Sequence, residues 1–247
     1  MSVMIVTGGS RGIGAATAIL AASQGYSVVV NYLANEQAAR QVVSEIVSNG
    51  GRALAVSGDV GDEADVLRLF ALTAKEFGPL TALVNNAGIL EHHSRLEDMS
   101  AERFARVLRT NVVGSLLCAR EAVKTMSTRN GGSGGSIVNL SSIAATLGSP
   151  DEYVDYAASK GAIDTLTVGL AKEVAECGIR VNAVRPGVIY TEIHSSGGEP
   201  ERVDRVKRSV PMRRGGTAEE VANAIMWLVS DKASYSTGSF LDVSGGR

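Results

Sequence analysis

The beginning of the chain shows a short apolar segment, a glycine-rich turn and a helical pattern in immediate succession. The apolar segment covers residues 4–6, and an alanine-rich helical pattern covers residues 15–23. The glycines between them permit a tight turn and let phosphates approach the backbone at the helix N-terminus. Their spacing, Gly8-x-x-x-Gly12-x-Gly14, differs from the common dinucleotide fingerprint. Because the turn joins a first strand to a first helix, it still predicts a nucleotide site.

Strand and helix patterns alternate along the whole chain. The strand segments are short, rich in Val, Ile and Leu and nearly uninterrupted in apolarity, as expected when helices cover both faces of a sheet. No linker, repeat or shift in composition divides the chain, and the glycine-rich segment 130–135 is interpreted as a surface loop. We predict one α/β domain over residues 1–247, a doubly wound, Rossmann-like parallel sheet with helices on both faces.

The boundaries of several elements carry their own signals. Thr217 and Glu220 have the spacing of a helix capping box. Glycines at 50, 51 and 78 indicate helix ends. The predicted strands are 3–7, 26–31, 52–57, 80–85, 135–141, 179–185 and 239–243, and the predicted helices are 12–24, 35–49, 62–77, 100–127, 153–177 and 217–230.

The composition argues against several other classes of protein. The formal net charge is −2 and 45% of the 247 residues are hydrophobic, so the charge balance favours neither nucleic acid nor a membrane surface as partner. No apolar run approaches the roughly 20 residues that span a bilayer. Cys118 and Cys177 fall in apolar helical patterns, which predicts buried thiols and a cytoplasmic protein. The adjacent His92 and His93 with one distant histidine do not form a metal signature, so no metal is predicted.

Tyr156 and Lys160 are the strongest candidates for chemistry. They are four residues apart at the start of a predicted helix, so both side chains can lie on one face. A nearby positive charge stabilises a phenolate and lowers the pKa of a tyrosine. The pair therefore suggests proton transfer in alcohol and ketone chemistry, although this spacing also occurs by chance in many helices.

Taken together, the motifs resemble those of the short-chain dehydrogenase/reductase family, in its compact single-domain branch. The ordered set covers the chain from about residue 3 to residue 245, and it is far more specific than any one of its members. Among bacterial members, the chain is most similar to sugar-type dehydrogenases such as glucose 1-dehydrogenase, and next to 3-oxoacyl-carrier-protein reductases. The motifs are the turn at 7–14, Asn85-Asn86-Ala87-Gly88, Asn111, Ser141-Ser142, the segment 156–160, and Pro186-Gly187 followed by Thr191.

The resemblance implies an NAD(P) cofactor bound along the glycine turn and the strand ends. By the same resemblance, Asp59 and Val60 should lie by the adenine, and residues 86–88 should lie along the cofactor. The full set of expected cofactor residues is Gly8, Ser10, Arg11, Gly12, Ile13, Gly14, Asn31, Tyr32, Asp59, Val60, Asn86, Ala87, Gly88, Tyr156, Lys160, Pro186, Gly187, Ile189 and Thr191.

Two positions favour NADP(H), with NAD(H) remaining possible. NAD enzymes of this fold usually carry an acidic residue at the end of the second strand, where this chain has Asn31 and Tyr32. Arg11 falls within the glycine turn, and a guanidinium recognises phosphate well. Leu33 is the opposing observation, because NADP-preferring relatives often have a second basic residue there. The alternative interpretation of Arg11 is a solvated turn residue.

The resemblance also implies the roles of four catalytic residues. Tyr156 exchanges a proton with the substrate oxygen, and Lys160 holds the nicotinamide ribose and depresses the tyrosine pKa. Ser142 hydrogen-bonds the substrate oxygen. Asn111 interrupts its helix locally and holds a water that connects Lys160 to solvent; without the other motifs it would be an ordinary helix asparagine facing water.

The segment between Ser142 and Tyr156 is one residue longer than in many relatives. This leaves the substrate-binding role open between Ser141 and Ser142 and makes Tyr153 a rival phenol. Tyr153 is rejected as the acid because Ala157, not a lysine, follows four residues later. The expected substrate pocket contains Ser142, Tyr153 and His194 under a lid at about residues 188–214.

Three functions remain open at this stage. The first is oxidation or reduction of a small secondary alcohol or carbonyl that is sugar- or polyol-like. The second is reduction of a 3-oxoacyl group on an acyl carrier protein, for which Arg129 and Lys172 are candidate contacts to the acidic carrier. The third is an NADP(H)-binding regulator without turnover, against which the presence of all four catalytic residues argues.

The two long helices predicted at 100–127 and 153–177 suggest a homotetramer. Both carry apolar residues on more than one face, whereas a helix packed on a sheet needs only one apolar stripe. The resemblance implies that these helices pair across a twofold axis. Deeper burial within one subunit is the alternative. The residues concerned are Val112, Val113, Leu116, Leu117, Ala119, Val123, Ile163, Leu166, Val168 and Leu170.

Overall fold

Seven parallel strands form the central sheet of this computed structural model, which describes residues 2–247. The predicted doubly wound parallel sheet is confirmed, and each predicted strand boundary lies within two residues of the observed one. In chain order the strands are β1 (Val3–Val6), β2 (Ser27–Tyr32), β3 (Arg52–Ser57), β4 (Ala82–Asn85), β5 (Gly135–Leu140), β6 (Ile179–Pro186) and β7 (Phe240–Val243).

Ten α-helices are found among the described residues, and the sequence predicts the long ones. Three short helices, at 144–147, 193–196 and 202–206, are absent from the sequence-based prediction. The capping box at Thr217 and Glu220 is confirmed, with both of its hydrogen bonds present. The helices are α1 (Gly12–Ser23), α2 (Glu36–Ser48), α3 (Glu63–Phe77), α4 (Ala101–Leu108), α5 (Gly114–Met126), α6 (Ala144–Leu147), α7 (Val154–Val174), α8 (Ile193–Ser196), α9 (Arg202–Val206) and α10 (Ala218–Val229).

The single helix predicted at 100–127 is interrupted. A π-helical segment, Arg109–Val113, joins α4 to α5 with helical backbone angles on both sides. Asn111 lies at the centre of this segment, where the resemblance implies a local interruption. The helix predicted at 153–177 ends earlier as an α-helix, and its last turn is the 3₁₀ segment Ala175–Cys177.

Successive residues of each strand point to opposite faces of the sheet, and each face has its own hydrophobic core. Met4 and Val6 of β1 pack with α1, α2 and α10 on one face. Val3 and Ile5 pack with α3, α5 and α7 on the other face. The short, continuously apolar strands therefore follow from burial on both sides. No helix among residues 2–247 combines the length and apolarity needed to cross a membrane.

The strand order places the sequence motifs at one edge of the sheet. The order across the sheet is β3-β2-β1-β4-β5-β6-β7, so β1 pairs with both β2 and β4. The connection after β1 leads to β2, whereas the connection after β4 leads in the opposite direction to β5, and this reversal opens a crevice outside the carboxyl ends of β1 and β4. The segments that follow β1, β4, β5 and β6 carry the glycine turn and the motifs at 86–88, 141–142 and 186–187.

Candidate active site

Two adjoining cavities lie at the carboxyl edge of the sheet. One has a volume of about 350 Å³ and is lined by the glycine turn and the ends of β2 and β3. The other, of about 370 Å³, is lined by the segments after β5 and β6 and by α7. Ile13, Asn86, Gly88 and Thr191 line both cavities, so the two spaces are continuous. We call them the cofactor cleft and the substrate cavity.

Nearly all of the predicted cofactor residues line these two spaces. Tyr156, Lys160, Pro186, Gly187 and Ile189 line the substrate cavity. The residues that line the cofactor cleft are Gly8, Ser10, Arg11, Gly12, Ile13, Asn31, Tyr32, Asp59, Val60, Asn86, Ala87, Gly88 and Thr191.

Gly14 is the exception, because it lines neither of the two spaces, and its assignment as a cofactor contact stays a prediction. A Cβ built on it would lie 2.4 Å from the carbonyl oxygen of Gly8 and 2.6 Å from Nδ2 of Asn86. Its small size lets α1 approach the turn. Gly8 and Gly12 have φ values of 59° and 52°, a backbone conformation that favours glycine.

The glycine turn and the start of α1 have the features that a dinucleotide requires. Helix α1 begins at Gly12, so its free N–H groups and positive dipole end face the cofactor cleft. Asn86 secures the turn by donating from Nδ2 to the carbonyls of Thr7 (2.9 Å) and Gly8 (3.0 Å). The residues present therefore fit a bound dinucleotide phosphate.

The end of β2 carries no carboxylate. Asn31 is buried, and its side chain accepts from the Gly8 N–H at 3.3 Å and donates to the carbonyl of Gly58 at 3.0 Å. Its role in the cleft is therefore to connect the glycine turn to the end of β3. Arg11 is exposed at the N-cap of α1, and its guanidinium has no salt bridge within residues 2–247.

Tyr156 lies on the first turn of α7 and faces the substrate cavity. Burial raises the pKa of Tyr156 to about 12, and its hydrogen bond with Ser142 acts in the lowering direction. The expected depression of this pKa by Lys160 is therefore wrong for the structure described, because desolvation of the phenolate outweighs the opposing effects. A phenol with this pKa holds its proton at neutral pH and can donate it.

Lys160 is buried one helical turn beyond Tyr156. Its Nζ lies 5.6 Å from the centroid of the Tyr156 ring and donates to the carbonyl oxygen of Leu140 at 2.6 Å. Burial lowers the pKa of Lys160 to about 8. A Cβ built on Gly88 would lie 3.7 Å from this Nζ, so the ammonium faces the passage between the two cavities.

The side chain of Asn111 holds the segment that follows β4. Its Oδ1 accepts from the Ile89 N–H at 2.8 Å, and its Nδ2 donates to the Ile89 carbonyl at 3.1 Å and to Ser159 Oγ at 3.0 Å. Asn111 is fully buried, so the alternative of a helix asparagine facing water is wrong. The π-helical segment thereby connects the loop beside Gly88 to the catalytic helix α7.

The geometry separates the two serines after β5. Ser142 Oγ lies near enough to the Tyr156 phenol to act on its pKa in the lowering direction, and it accepts from the Ala144 N–H at 3.1 Å. Ser141 Oγ instead donates to the backbone carbonyl of Lys160 at 3.2 Å. Ser142 is thus the serine whose hydroxyl lies beside the Tyr156 phenol.

Tyr153 and His194 both line the substrate cavity, as predicted. Arg202, which was not predicted from the sequence, also lines the cavity and stacks over the Tyr153 ring at 4.9 Å. Arg202 forms ion pairs with Glu152 (2.5 Å) and Glu199 (3.3 Å), joining the lid to the loop before α7. The sequence carries a signal for only one of these two ion pairs, because Glu199 and Arg202 are three residues apart. Other lining residues that were not predicted are Leu90, Ile143, Leu147, Val188, Ile193 and Arg247.

Both cysteines are buried in the part of the chain that the structure describes. Cys118 and Cys177 are free, and burial raises the pKa of the Cys118 thiol to about 12. Within residues 2–247, no group of three or more His, Cys, Asp or Glu side chains could hold a metal ion.

Comparison with known proteins gives consistent matches over nearly the whole chain. The family model described as enoyl-(acyl carrier protein) reductase matches residues 8–247. An uncharacterised oxidoreductase of Escherichia coli K12, YgfF, is 62% identical over 247 residues, with all of both chains covered. Glucose 1-dehydrogenase 2 of Bacillus subtilis is 39% identical, over 98% of this chain and 93% of its own length. A solved short-chain dehydrogenase/reductase mutant of Serratia marcescens is 33% identical with a TM-score of 0.91, covering 99% of this chain and 97% of that one.

Proposed function

The chain belongs to the short-chain dehydrogenase/reductase family of oxidoreductases, and we propose that it interconverts a sugar- or polyol-like secondary alcohol and its carbonyl with a preference for NADP(H). One observation supports this most strongly. Tyr156, Ser142 and Lys160 line a single cavity that is continuous with a glycine-turn cleft. A proton donor and a place for the substrate oxygen thus lie next to the space that fits a dinucleotide.

Each catalytic side chain has a distinct task in this proposal. When bound, the nicotinamide supplies or accepts the hydride. Tyr156 donates its proton to the carbonyl oxygen in reduction, and Ser142 holds that oxygen by a hydrogen bond. Lys160 binds the nicotinamide ribose, and Asn111 keeps the loop beside Gly88 in place. Tyr156 holds its proton at neutral pH, so it can serve as the proton donor when the substrate is a carbonyl.

Two features of the cofactor cleft support the preference for NADP(H). Arg11 is exposed at the cleft without a salt bridge among the described residues, so its guanidinium is available for a 2′-phosphate. The end of β2 offers Asn31 and Tyr32 in place of the carboxylate that would repel such a phosphate. Leu33, which also lines the cleft, supplies no second charge.

The free buried cysteines support a reducing compartment such as the cytoplasm.

Reduction of a carrier-bound 3-oxoacyl group is the alternative, since the matching family model bears an acyl-carrier-protein name. The candidate carrier contact Arg129 is exposed but forms an ion pair with Glu176 at 3.0 Å. Its charge is therefore already partly balanced, which weakens the case for an acidic carrier at this place.

A spectrophotometric panel of sugars, polyols, simple ketones and 3-oxoacyl thioesters, each with NADP(H) and NAD(H), tests the proposal. We expect turnover of hydroxylated ketones or polyols, faster with the phosphorylated cofactor. Turnover of 3-oxoacyl thioesters alone would replace the proposal by its alternative. Proven NADPH binding without turnover of any class would favour a binding protein instead.

A further inference from the structure

We propose that Tyr153 and His194 form a subsite for a second, neutral hydroxyl group of the substrate, apart from the oxygen that reacts at Tyr156. This inference rests on the proposed function and deepens it, because it states what recognises a hydroxylated substrate. It is carried by Tyr153 and His194, which both line the substrate cavity and each have one buried polar atom without a hydrogen-bond partner among residues 2–247.

The Tyr153 hydroxyl is the first of these atoms. Tyr153 is the N-cap residue of α7, and only 2% of its surface is exposed. Its ring is fixed from one side by the Arg202 guanidinium, 4.9 Å from the ring centroid. A buried hydroxyl without a partner is destabilising by about 1–3 kcal/mol. A phenylalanine would avoid that penalty, so the hydroxyl is available for a partner that the described residues do not supply.

The second buried polar atom without a partner is Nδ1 of His194. The other ring nitrogen, Nε2, lies 3.0 Å from the carbonyl oxygen of Ile189. A carbonyl can only accept, so Nε2 carries the proton in this contact. Burial lowers the pKa of His194, which keeps the ring neutral at neutral pH. In a neutral ring protonated on Nε2, Nδ1 is an acceptor.

The two atoms together select the chemistry of their ligand. Tyr153 offers a donor and His194 offers an acceptor, and an alcohol hydroxyl satisfies both because it accepts and donates at once. A carboxylate would place negative charge against the Nδ1 lone pair. The nearby Arg202 does not reverse this preference, because Glu152 and Glu199 already balance its charge.

The rest of the cavity wall is suited to the carbon skeleton of the substrate. Apolar side chains contributed by four separate segments surround the two polar groups and do not compete for a hydroxyl. These side chains are Leu90, Ile143, Leu147, Val188 and Ile193.

Paired substrates that differ by one hydroxyl test the subsite. We compare 2-hydroxycyclohexanone with cyclohexanone, measuring kcat/KM for each with NADPH. The wild-type protein should prefer the hydroxyketone at least tenfold, as expected for a hydrogen-bonded hydroxyl in a buried site, where discrimination reaches about 10⁴-fold or more in the strongest cases. Equal kcat/KM values for the two ketones would overturn the proposal.

Two variants remove one hydrogen-bonding group each. Tyr153→Phe deletes only the donor. His194→Gln keeps an N–H that can reach the Ile189 carbonyl but has no acceptor at the Nδ1 position. Each should lower the preference for the hydroxyketone about tenfold. Tyr235→Phe is the matched control, because Tyr235 is fully exposed outside both cavities. An unchanged preference in both subsite variants would contradict the proposal.

A binding measurement separates failure of the subsite from failure of the proposed reaction. Calorimetry with NADPH-saturated Tyr156→Phe protein compares trans-1,2-cyclohexanediol with cyclohexanol and needs no turnover. Tighter binding of the diol, lost in the double variant with Tyr153→Phe, supports the subsite even if the panel finds no reaction. Equal binding of both alcohols contradicts the subsite and leaves the oxidoreductase proposal standing.

Discussion

At the residue scale, burial governs the charges of the two central catalytic groups. Tyr156 and Lys160 are both desolvated, and desolvation disfavours the charged form of each. The pKa of the tyrosine is therefore raised to about 12, and that of the lysine is lowered to about 8. A spacing of four residues in sequence correctly indicates one helical face, but it contains no information on how much water the folded cavity admits.

The lowered pKa of Lys160 predicts how stability depends on pH. The pKa in the unfolded chain is 10.5, so between pH 8 and pH 10.5 the unfolded state binds more protons than the folded state. Folding stability contributed by this group therefore increases as pH rises through that interval. The Lys160→Met variant lacks this group. As the pH rises from 7 to 9, the unfolding free energy of the wild type should therefore increase by roughly 1 kcal/mol more than that of Lys160→Met.

Denaturant unfolding at the two pH values measures this difference. Lys172→Met provides a control for loss of a lysine at an exposed position on the same helix. A difference between Lys160→Met and the wild type that stays constant from pH 7 to pH 9 would show that the ammonium is not desolvated as the structure indicates.

The preference for NADPH over NADH depends on one residue, Arg11. NADPH should bind more tightly than NADH, and Arg11→Ala should remove most of that difference, since a hydrogen bond to a charged group contributes about 1.5–3 kcal/mol. Fluorescence titration with both cofactors measures it. Arg129→Ala, outside the cofactor cleft, is the matched control. Equal affinities for the two cofactors in the wild type would remove the argument from Arg11.

At the scale of elements, the contact between the glycine turn and α1 depends on Gly14. A side-chain carbon there would overlap the Gly8 carbonyl, so Gly14→Ala must push α1 away from the turn. We expect Gly14→Ala to weaken NADPH binding at least tenfold, about 1.4 kcal/mol, measured by the same titration. Gly169→Ala on α7 is the control, because a Cβ at Gly169 meets no atom within 4 Å. Wild-type affinity in Gly14→Ala would contradict this account of the turn.

The long elements could be predicted from the sequence, whereas the interruptions and short helices could not. Apolar periodicity and the capping residues Thr217 and Glu220 act within a few residues, so they are visible in the sequence. The π-helical segment is held by contacts of Asn111 with residues 22 and 48 positions away. Helix α9 is held by Arg202 and its partner Glu152, 50 positions away. Such contacts exist only after the sheet has brought these segments together.

The predicted site shows the same division. The motif residues are found at the two cavities because the carboxyl ends of parallel strands meet at one edge. The structure adds which hydroxyl lies beside Tyr156, namely Ser142, and which glycine lies against the Gly8 carbonyl, namely Gly14. Neither distinction could be read from spacing, because both depend on the direction of a side chain or the distance between two separate segments.

At the scale of the whole molecule, the homotetramer stays a prediction, and it depends on apolar residues that are exposed along α4, α5 and the segment between them. Leu108, Val113 and Leu116 remain exposed. Ala119 and Ile163 are buried within the subunit, so they are not available to a second apolar surface. Leu117, Val123 and Leu170 pack against the core on the α5 and α7 side of the sheet. Fewer residues than predicted are thus free for contact with another subunit.

Light scattering at micromolar concentration tests the assembly. We expect the mass of a tetramer, and we expect Leu116→Glu to reduce it, because a charge buried between subunits is strongly unfavourable. Val47→Glu on α2 is the matched control, since Val47 is an exposed apolar residue on another helix. A stable monomer in the wild type would mean that the exposed residues of α4 and α5 do not form an interface.

The central claim is that Tyr156 transfers the proton in a carbonyl reduction driven by NADPH. The most direct measurement compares the turnover of Tyr156→Phe with that of the wild type, on the best substrate of the panel, alongside NADPH affinity. The account predicts a fall of roughly 10²–10⁴-fold in turnover with cofactor binding largely intact, because only the proton-donating hydroxyl is removed. Retention of more than about a tenth of the wild-type rate would contradict the account, because general acid catalysis contributes at least 10²-fold.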